Sequence, residues 1–198
     1  KGLEDVEIPQ PVSELTRQEA TRSIRQAFQD MKKTHALDYS AISEAVRNIV
    51  EEVLQNNQVL IHLGDIRSHD DYTFAHSVNV GILCALIGRG LGYTPKQIHD
   101  LAVGGLLHDV GKIFIPAEIL NKPGELTEEE MRLVREHPRI GFDILRRCHR
   151  ISLLAAHMAY QHHELLDGSG YPRQLRGEEI HVYGRINAVA DAFDALTV

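Results

Sequence analysis

Leu107-His108-Asp109-Val110-Gly111-Lys112 sets an imidazole beside a carboxylate, with a lysine three residues on. The set stands at the end of an apolar helical run, Leu101 to Leu107, and just ahead of Ile113-Phe114-Ile115-Pro116. That run is long enough to bury the pair, and a buried carboxylate needs a partner. A neutral imidazole next to an ionised carboxylate suits a metal ion such as iron, manganese or zinc. Alone the dipeptide is weak evidence, because a hydrogen-bonded pair at a helix end is spelled the same way. The chain carries 12 histidines, so the question is which of them converge. His76 lies inside a long apolar stretch, His137 at a helix junction, and His162-His163 at a helix C-terminal end. Asp191 lies among Ala188, Val189, Ala190 and Ala192. An unpartnered polar side chain in each of these places is costly, and one shared metal cluster would satisfy them all.

The elements that must position these residues are helical. Residues 1–12, with Pro9 and Pro11, read as an extended lead-in. Ser13 to about His35 is amphipathic, with Leu15, Ile24, Ala27, Phe28 and Met31 as the apolar stripe. Ser40 to Gln55 repeats the pattern with Ile42, Val46, Ile49, Val50 and Val53. Leu60 to Ile66 is a short apolar piece, and a long helix runs from Tyr72 to Leu91, ending at Gly92. Thr94-Pro95-Lys96-Gln97 is a capping box with proline at the first helical position, opening the helix that ends near His108. Thr127-Glu128-Glu129-Glu130 is a second box, its acidic first turn suited to the helix dipole. His137-Pro138 breaks that helix and starts the next, which runs to about Cys148. Ile151 to His163 is helical, residues 165–179 form a loop, and Tyr183 to about Leu196 is the last helix. With no period-2 strands, the expected fold is an all-α irregular bundle. Residues 1–58 form a helical N-terminal segment or linker and residues 59–198 the main domain. The N-terminal helices point to an upstream sensor or a dimer contact.

Composition narrows the function. The 198 residues are 43% hydrophobic and 25% charged, as in ordinary globular proteins. A net charge of −7 argues against a nucleic-acid polymer as partner, since no basic face is implied. It leaves a small anionic ligand open, because bound divalent cations would invert the local sign. The best apolar stretch, Val78 to Ile87, is far short of a bilayer span of roughly 20 residues. Cys84 and Cys148 imply no disulfide framework, so a reducing cytoplasm is the expected compartment.

Taken together, His76, His108-Asp109-Val110-Gly111-Lys112, His137-Pro138, Gln161-His162-His163-Glu164, Asp167-Gly168-Ser169-Gly170-Tyr171-Pro172 and Ala190-Asp191-Ala192-Phe193-Asp194-Ala195-Leu196-Thr197 resemble the HD-GYP family. These are bacterial cyclic di-GMP phosphodiesterases within the HD hydrolase superfamily, and the motifs follow the family's order over residues 72–198. The resemblance implies an HD-type helical fold and two divalent metals, iron or manganese. His76, His108 and Asp191 would bind one metal and His137, His162 and His163 the other. Asp109 would bridge them beside an activated hydroxide. Lys112 would contact the scissile phosphate, so Asp109 and Lys112 are the expected catalytic pair. Gly170, Tyr171 and Pro172, in a loop that Gly168 and Gly170 let turn tightly, would lie against the substrate. A third metal is not expected, because Tyr72 stands where some members carry a glutamate.

The family pattern continues past Thr197 into an arginine-containing stretch, so arginines that would grip the substrate phosphates are expected outside a chain that stops at Val198. The expected reaction is hydrolysis of cyclic di-GMP to pGpG, and on to GMP. Cyclic GMP-AMP or an alarmone as substrate stays open. So does a regulatory module that binds cyclic di-GMP, or recruits a diguanylate cyclase, without turnover. His35, His62, His69, His99, His149, His157 and His181 match no motif and read as surface or locally bonded residues. Glu164 reads either as an acceptor orienting a ligand histidine or as an exposed helix end, and Asp194 is open in the same way.

Overall fold

A computed structural model describes residues 11–56 and 72–197. The expected piece Leu60 to Ile66, the lead-in before residue 11, and the Tyr72 side chain lie outside the described residues. The helices are α1 (Glu14–Thr34), α2 (Ser40–Gln55), α3 (Tyr72–Gly90), α4 (Pro95–Leu107), α5 (Ala117–Leu120), α6 (Glu128–Val134), α7 (His137–Leu145), α8 (Leu153–Gln161) and α9 (Val182–Thr197). No strand occurs among the described residues, and the all-α bundle is as expected.

Local chemistry sets most boundaries. Ser13 caps α1 and Ser152 caps α8. Thr94 and Thr127 form reciprocal capping boxes with Gln97 and Glu130. Each cap satisfies donors that a helix start otherwise leaves without partners. Pro138 sits in the first turn of α7, where its missing N–H costs nothing. Three stretches differ from expectation. After His108 the chain tightens into a 3-10 segment, Val110–Phe114, and then makes the short α5. Helix α7 stops at Leu145 rather than near Cys148, and α8 opens at Leu153 rather than Ile151, because Ser152 supplies its cap. On α1 the buried stripe is Arg17, Ala20, Ile24, Ala27, Phe28 and Met31, while Leu15 is 66% exposed. Leu15 lies to one side of the line that steps by three and four residues back from Met31.

Helix α3 is apolar on every side and lies at the centre, as such a helix must. Helices α1, α2, α4 and α9 surround it, and α7 and α8 close the far side of α4. One apolar cluster runs from α1 and α2 through α3 and α4 to α7 and α8. A second joins Val80, Leu83 and Cys84 of α3 to Met158 of α8 and Tyr183, Ile186 and Ala190 of α9. Two glycine contacts draw the site's elements together. A methyl group on Gly105 would stand 2.8 Å from Gly81 Cα and 2.9 Å from Val80 O, so α3 and α4 touch backbone to backbone. A methyl group on Gly111 would run into the His137 carbonyl, which seats the turn after Asp109 directly on the start of α7.

Gly105→Ala is therefore expected to lower stability by about 1–3 kcal/mol, the usual cost of overpacking. For a domain of this size that is roughly 3–10 °C in thermal midpoint. Gly90→Ala, with open space around its Cβ, is expected to leave the midpoint within about 2 °C or raise it slightly. Calorimetry on the two variants checks the contrast.

Candidate metal centre

Five helices and the turn after α4 deliver the polar residues to one buried point. His76 comes from α3, His108 from the C-terminal end of α4, and Asp109 from the turn that follows. His137 opens α7, His162 and His163 end α8, and Asp191 and Asp194 come from α9. His108 and His162 are almost fully enclosed, and Asp109 and His137 are buried.

Three rings are held in the same way. His108 Nδ1–H donates to Gly105 O at 2.7 Å, His137 Nδ1–H to Val134 O at 2.6 Å, and His162 Nδ1–H to Ala159 O at 2.9 Å. A carbonyl can only accept, so each bond puts the proton on Nδ1 and leaves a lone pair on Nε2. Those Nε2 atoms point inward. His137 Nε2 stands 3.2 Å from His162 Nε2, and both face Asp109 Oδ1, at 3.3 and 3.5 Å. Lone pairs and a carboxylate oxygen at such distances repel unless a cation lies among them. His108 Nε2 and Asp109 Oδ1 are buried without a hydrogen bond among the described residues. Orphaned acceptors of this kind fit a metal ion.

His76 is held differently. Its Nδ1–H donates to Asp194 Oδ2 at 2.6 Å, and its Nε2 meets Asp191 Oδ1 at 3.1 Å. Asp194, left open by its sequence position, thus touches a ring nitrogen of His76 and orients it, a usual arrangement behind a metal ligand. Three groups have ligand atoms close enough to share an ion: Asp109 with His137, His162 and His163; Asp109 with His76 and His108; and Asp191 with His108 and His162. Asp109 belongs to the first two and can span both. No sulfur takes part, which suits iron or manganese at least as well as zinc.

The protonation pattern favours the same occupant. Burial lowers His162 to about 4, only partly opposed by Asp109. Burial with the neighbouring His162 and His137 lowers His163 to about 2. Burial would raise Asp109, yet the attraction of His108 and Lys112 holds it well below the usual carboxylate range. Asp191 likewise falls to about 2, its burial outweighed by the His76 hydrogen bond and by His108 and His162. Burial pulls on His76 too, but hydrogen bonds to Asp191 and Asp194 raise it to about 9. Neutral His162 and His163 beside ionised Asp109 and Asp191 are in the states in which such groups bind metals, whereas His76 would have to give up the proton that its two carboxylates hold.

The remaining expected residues lie at the edge of this cluster. Lys112 Nζ pairs with Asp109 Oδ2 at 2.6 Å, about a third exposed. Tyr171 is stacked on the His163 ring, centroids 4.7 Å apart, and the Arg135 guanidinium lies 5.3 Å from the Tyr171 ring centre. The Tyr171–Pro172 peptide is cis. Of the two glycines expected to allow the turn, Gly168 does so with φ +83°. Gly170 acts by close approach instead, since a methyl there would run into His163 O and Leu165 N. Glu164 fits neither of its expected roles. It is buried, and its carboxylate accepts from Arg173 N–H at 2.7 Å and Leu175 N–H at 2.9 Å, so it pins the returning loop.

Most of the other histidines are engaged elsewhere. His157 packs on Phe142, His99 meets the Tyr39 hydroxyl, His35 stacks on Phe114, and His181 accepts from Tyr183 N–H. His62 and His69 lie outside the described residues. Periodicity alone misses Arg17, which is buried on α1 and bonded to Asn79 of α3. A short polar residue one turn after His76 was the available signal.

Comparison with known proteins agrees with this geometry. The family model described as HD domain matches residues 48–198. A cyclic di-GMP phosphodiesterase of Pseudomonas aeruginosa is 38% identical over 178 residues, covering 90% of this chain and 43% of that protein. A 3'3'-cGAMP-specific phosphodiesterase of Vibrio cholerae is 39% identical over 148 residues, covering 75% of this chain and 34% of that protein. The chain thus spans less than half the length of the curated relatives it matches. Among solved structures, an HDG"Y"P protein from Bdellovibrio bacteriovorus has the same fold, with TM-score 0.74 and 24% identity over 92% of this chain and 59% of that one. The chain belongs to the HD domain family and carries the His108-Asp109 and Gly170-Tyr171-Pro172 motifs in its sequence.

Proposed function

We propose that this chain is a metal-dependent phosphodiesterase domain that hydrolyses cyclic di-GMP to linear pGpG, and to GMP where both linkages are cut. The observation that carries the reading is the sharing of Asp109 between two buried nitrogen and oxygen groups. In this reading His76, His108 and Asp191 would hold one divalent ion and His137, His162 and His163 a second, with Asp109 shared by both groups. Iron and manganese are the favoured ions. When bound, two such ions would supply a hydroxide nucleophile at neutral pH and offset negative charge on the phosphodiester.

The side chains do the rest. The carbonyl-bonded imidazoles keep their Nε2 lone pairs fixed before the ions arrive, so little reorganisation is needed. Lys112 swings from Asp109 toward the scissile phosphate and offsets its growing charge as a point cation. Gly170, Tyr171 and Pro172 form the wall beside His163 against which a guanine base can lie. Residues 59–198 are read as the catalytic domain and residues 1–58 as the helical segment through which an upstream sensor or a second copy would act. The relative named for cyclic GMP-AMP supports that molecule as a rival substrate.

Elemental analysis after anaerobic purification is expected to give about two metals per chain. Asp109→Ala should lose most of both, and His163→Ala about one. A parent chain that stays metal-free after reconstitution refutes the reading.

Turnover on the same samples is expected with cyclic di-GMP in preference to cyclic GMP-AMP. Lys112→Met should lower kcat by roughly 10²–10³-fold, the usual loss for one charge-stabilising donor, with metal content unchanged. Faster turnover of cyclic GMP-AMP would transfer the assignment to the rival.

A further inference from the structure

Arg17 projects from α1 and is only 2% exposed. Its Nη1 donates to Asn79 Oδ1 at 2.8 Å, while Nε and Nη2 have no acceptor among the described residues. Asn79 stands three residues after His76, one turn along the same side of α3. His76 donates in turn to Asp194, whose second oxygen is also buried without a hydrogen bond among the described residues. Burial depresses the Arg17 guanidinium, and the charges of Glu14 and Asp194 work against that. An apolar side chain would fill this place between α1 and α3 at lower cost, because a buried guanidinium with unused donors is strongly desolvated. Its presence calls for a use of the charge and of the fork.

We infer that Arg17 is a positioning residue for the His76 end of the metal centre. Through Asn79 it fixes the turn of α3 that carries His76, and its charge offsets that of the Asp194 carboxylate that aims the ring. The inference rests on the metal reading proposed above. It also gives a role to a residue outside positions 48–198, the part matched by the HD domain model. The N-terminal helix is thereby wired to a metal ligand through two side chains, a physical route by which a movement of α1 reaches the site.

Cobalt(II) titration, followed by visible absorption, measures metal affinity without turnover. Arg17→Met is expected to weaken one of the two sites by about tenfold or more, the range seen when a residue behind a ligand is lost. Its metal-free thermal midpoint should be held or raised, since methionine fills the space without a charge to bury. Asn79→Leu should weaken the same site, and Arg17→Lys should recover part of the affinity. Parental cobalt affinity in an Arg17→Met chain that melts like the parent overturns the inference. If Arg17→Met does not fold, parental affinity in Asn79→Leu overturns it equally. A parent chain that takes up no cobalt refutes the metal reading itself, a result visible before any variant is made.

Discussion

Imidazole lone pairs and a carboxylate oxygen packed within about 3.5 Å of one another, away from water, form an arrangement that repels itself. His137, His162 and Asp109 are in this state, and His108 stands beside them with its Nε2 unbonded. Each ring is denied the simple escape of turning over, because its other nitrogen is tied to a carbonyl three residues back. A fold that holds such a cluster needs positive charge at its centre, and a divalent ion is the compact way to supply it. His76 shows the contrast. Where two carboxylates flank one ring, a proton can do part of that work, and its affinity for that proton rises to about 9.

Holding the cluster requires helices closer together than ordinary side chains allow. The α3–α4 approach at Gly81 and Gly105 lies five residues from His76 and three from His108, so the backbone contact sets the gap between those two rings. Gly111 does the same between Asp109 and His137. Close packing of this kind is stiff, since interiors cannot absorb even a methyl group without displacement. The ligand positions are thus a consequence of the core, and the core's tightest points stand within a turn or two of the ligands.

Much of this was legible in the residues. Capping boxes at Thr94 and Thr127 and the proline at position 138 mark helix starts by local chemistry, and the structure has its helices there. The polar residues set in apolar runs marked the cluster, because a buried polar side chain without a partner is too costly to be incidental. What stayed hidden depends on long-range contact. Glu164 reads as a histidine-orienting acceptor or as a helix end, and only the returning chain, with Arg173 and Leu175, places two backbone N–H groups on it. Leu15 joins the apolar set of α1 by type, yet faces outward, while Arg17 faces in; periodicity ranks residues by hydropathy and cannot see a partner such as Asn79. Asp194 was ambiguous for the same reason, since only the packing of α9 on α3 puts it against His76.

The loop after α8 ties Tyr171 to His163 at one side of the site. His163 closes the first ligand group, its ring carries Tyr171, and its carbonyl accepts Tyr171 N–H at 3.1 Å. Gly170 lets the loop lie directly on the His163–Leu165 backbone, and Glu164 between them pins the far side through Arg173 and Leu175. A ligand resting on Tyr171 therefore presses on the same peptide units that aim His163. The loop and His163 are one mechanical unit, so on the proposed reading a change in the loop residues shifts metal binding along with recognition. On the proposed reading, sequence variation in this loop tunes the choice of ligand only within the limits that the aim of His163 allows.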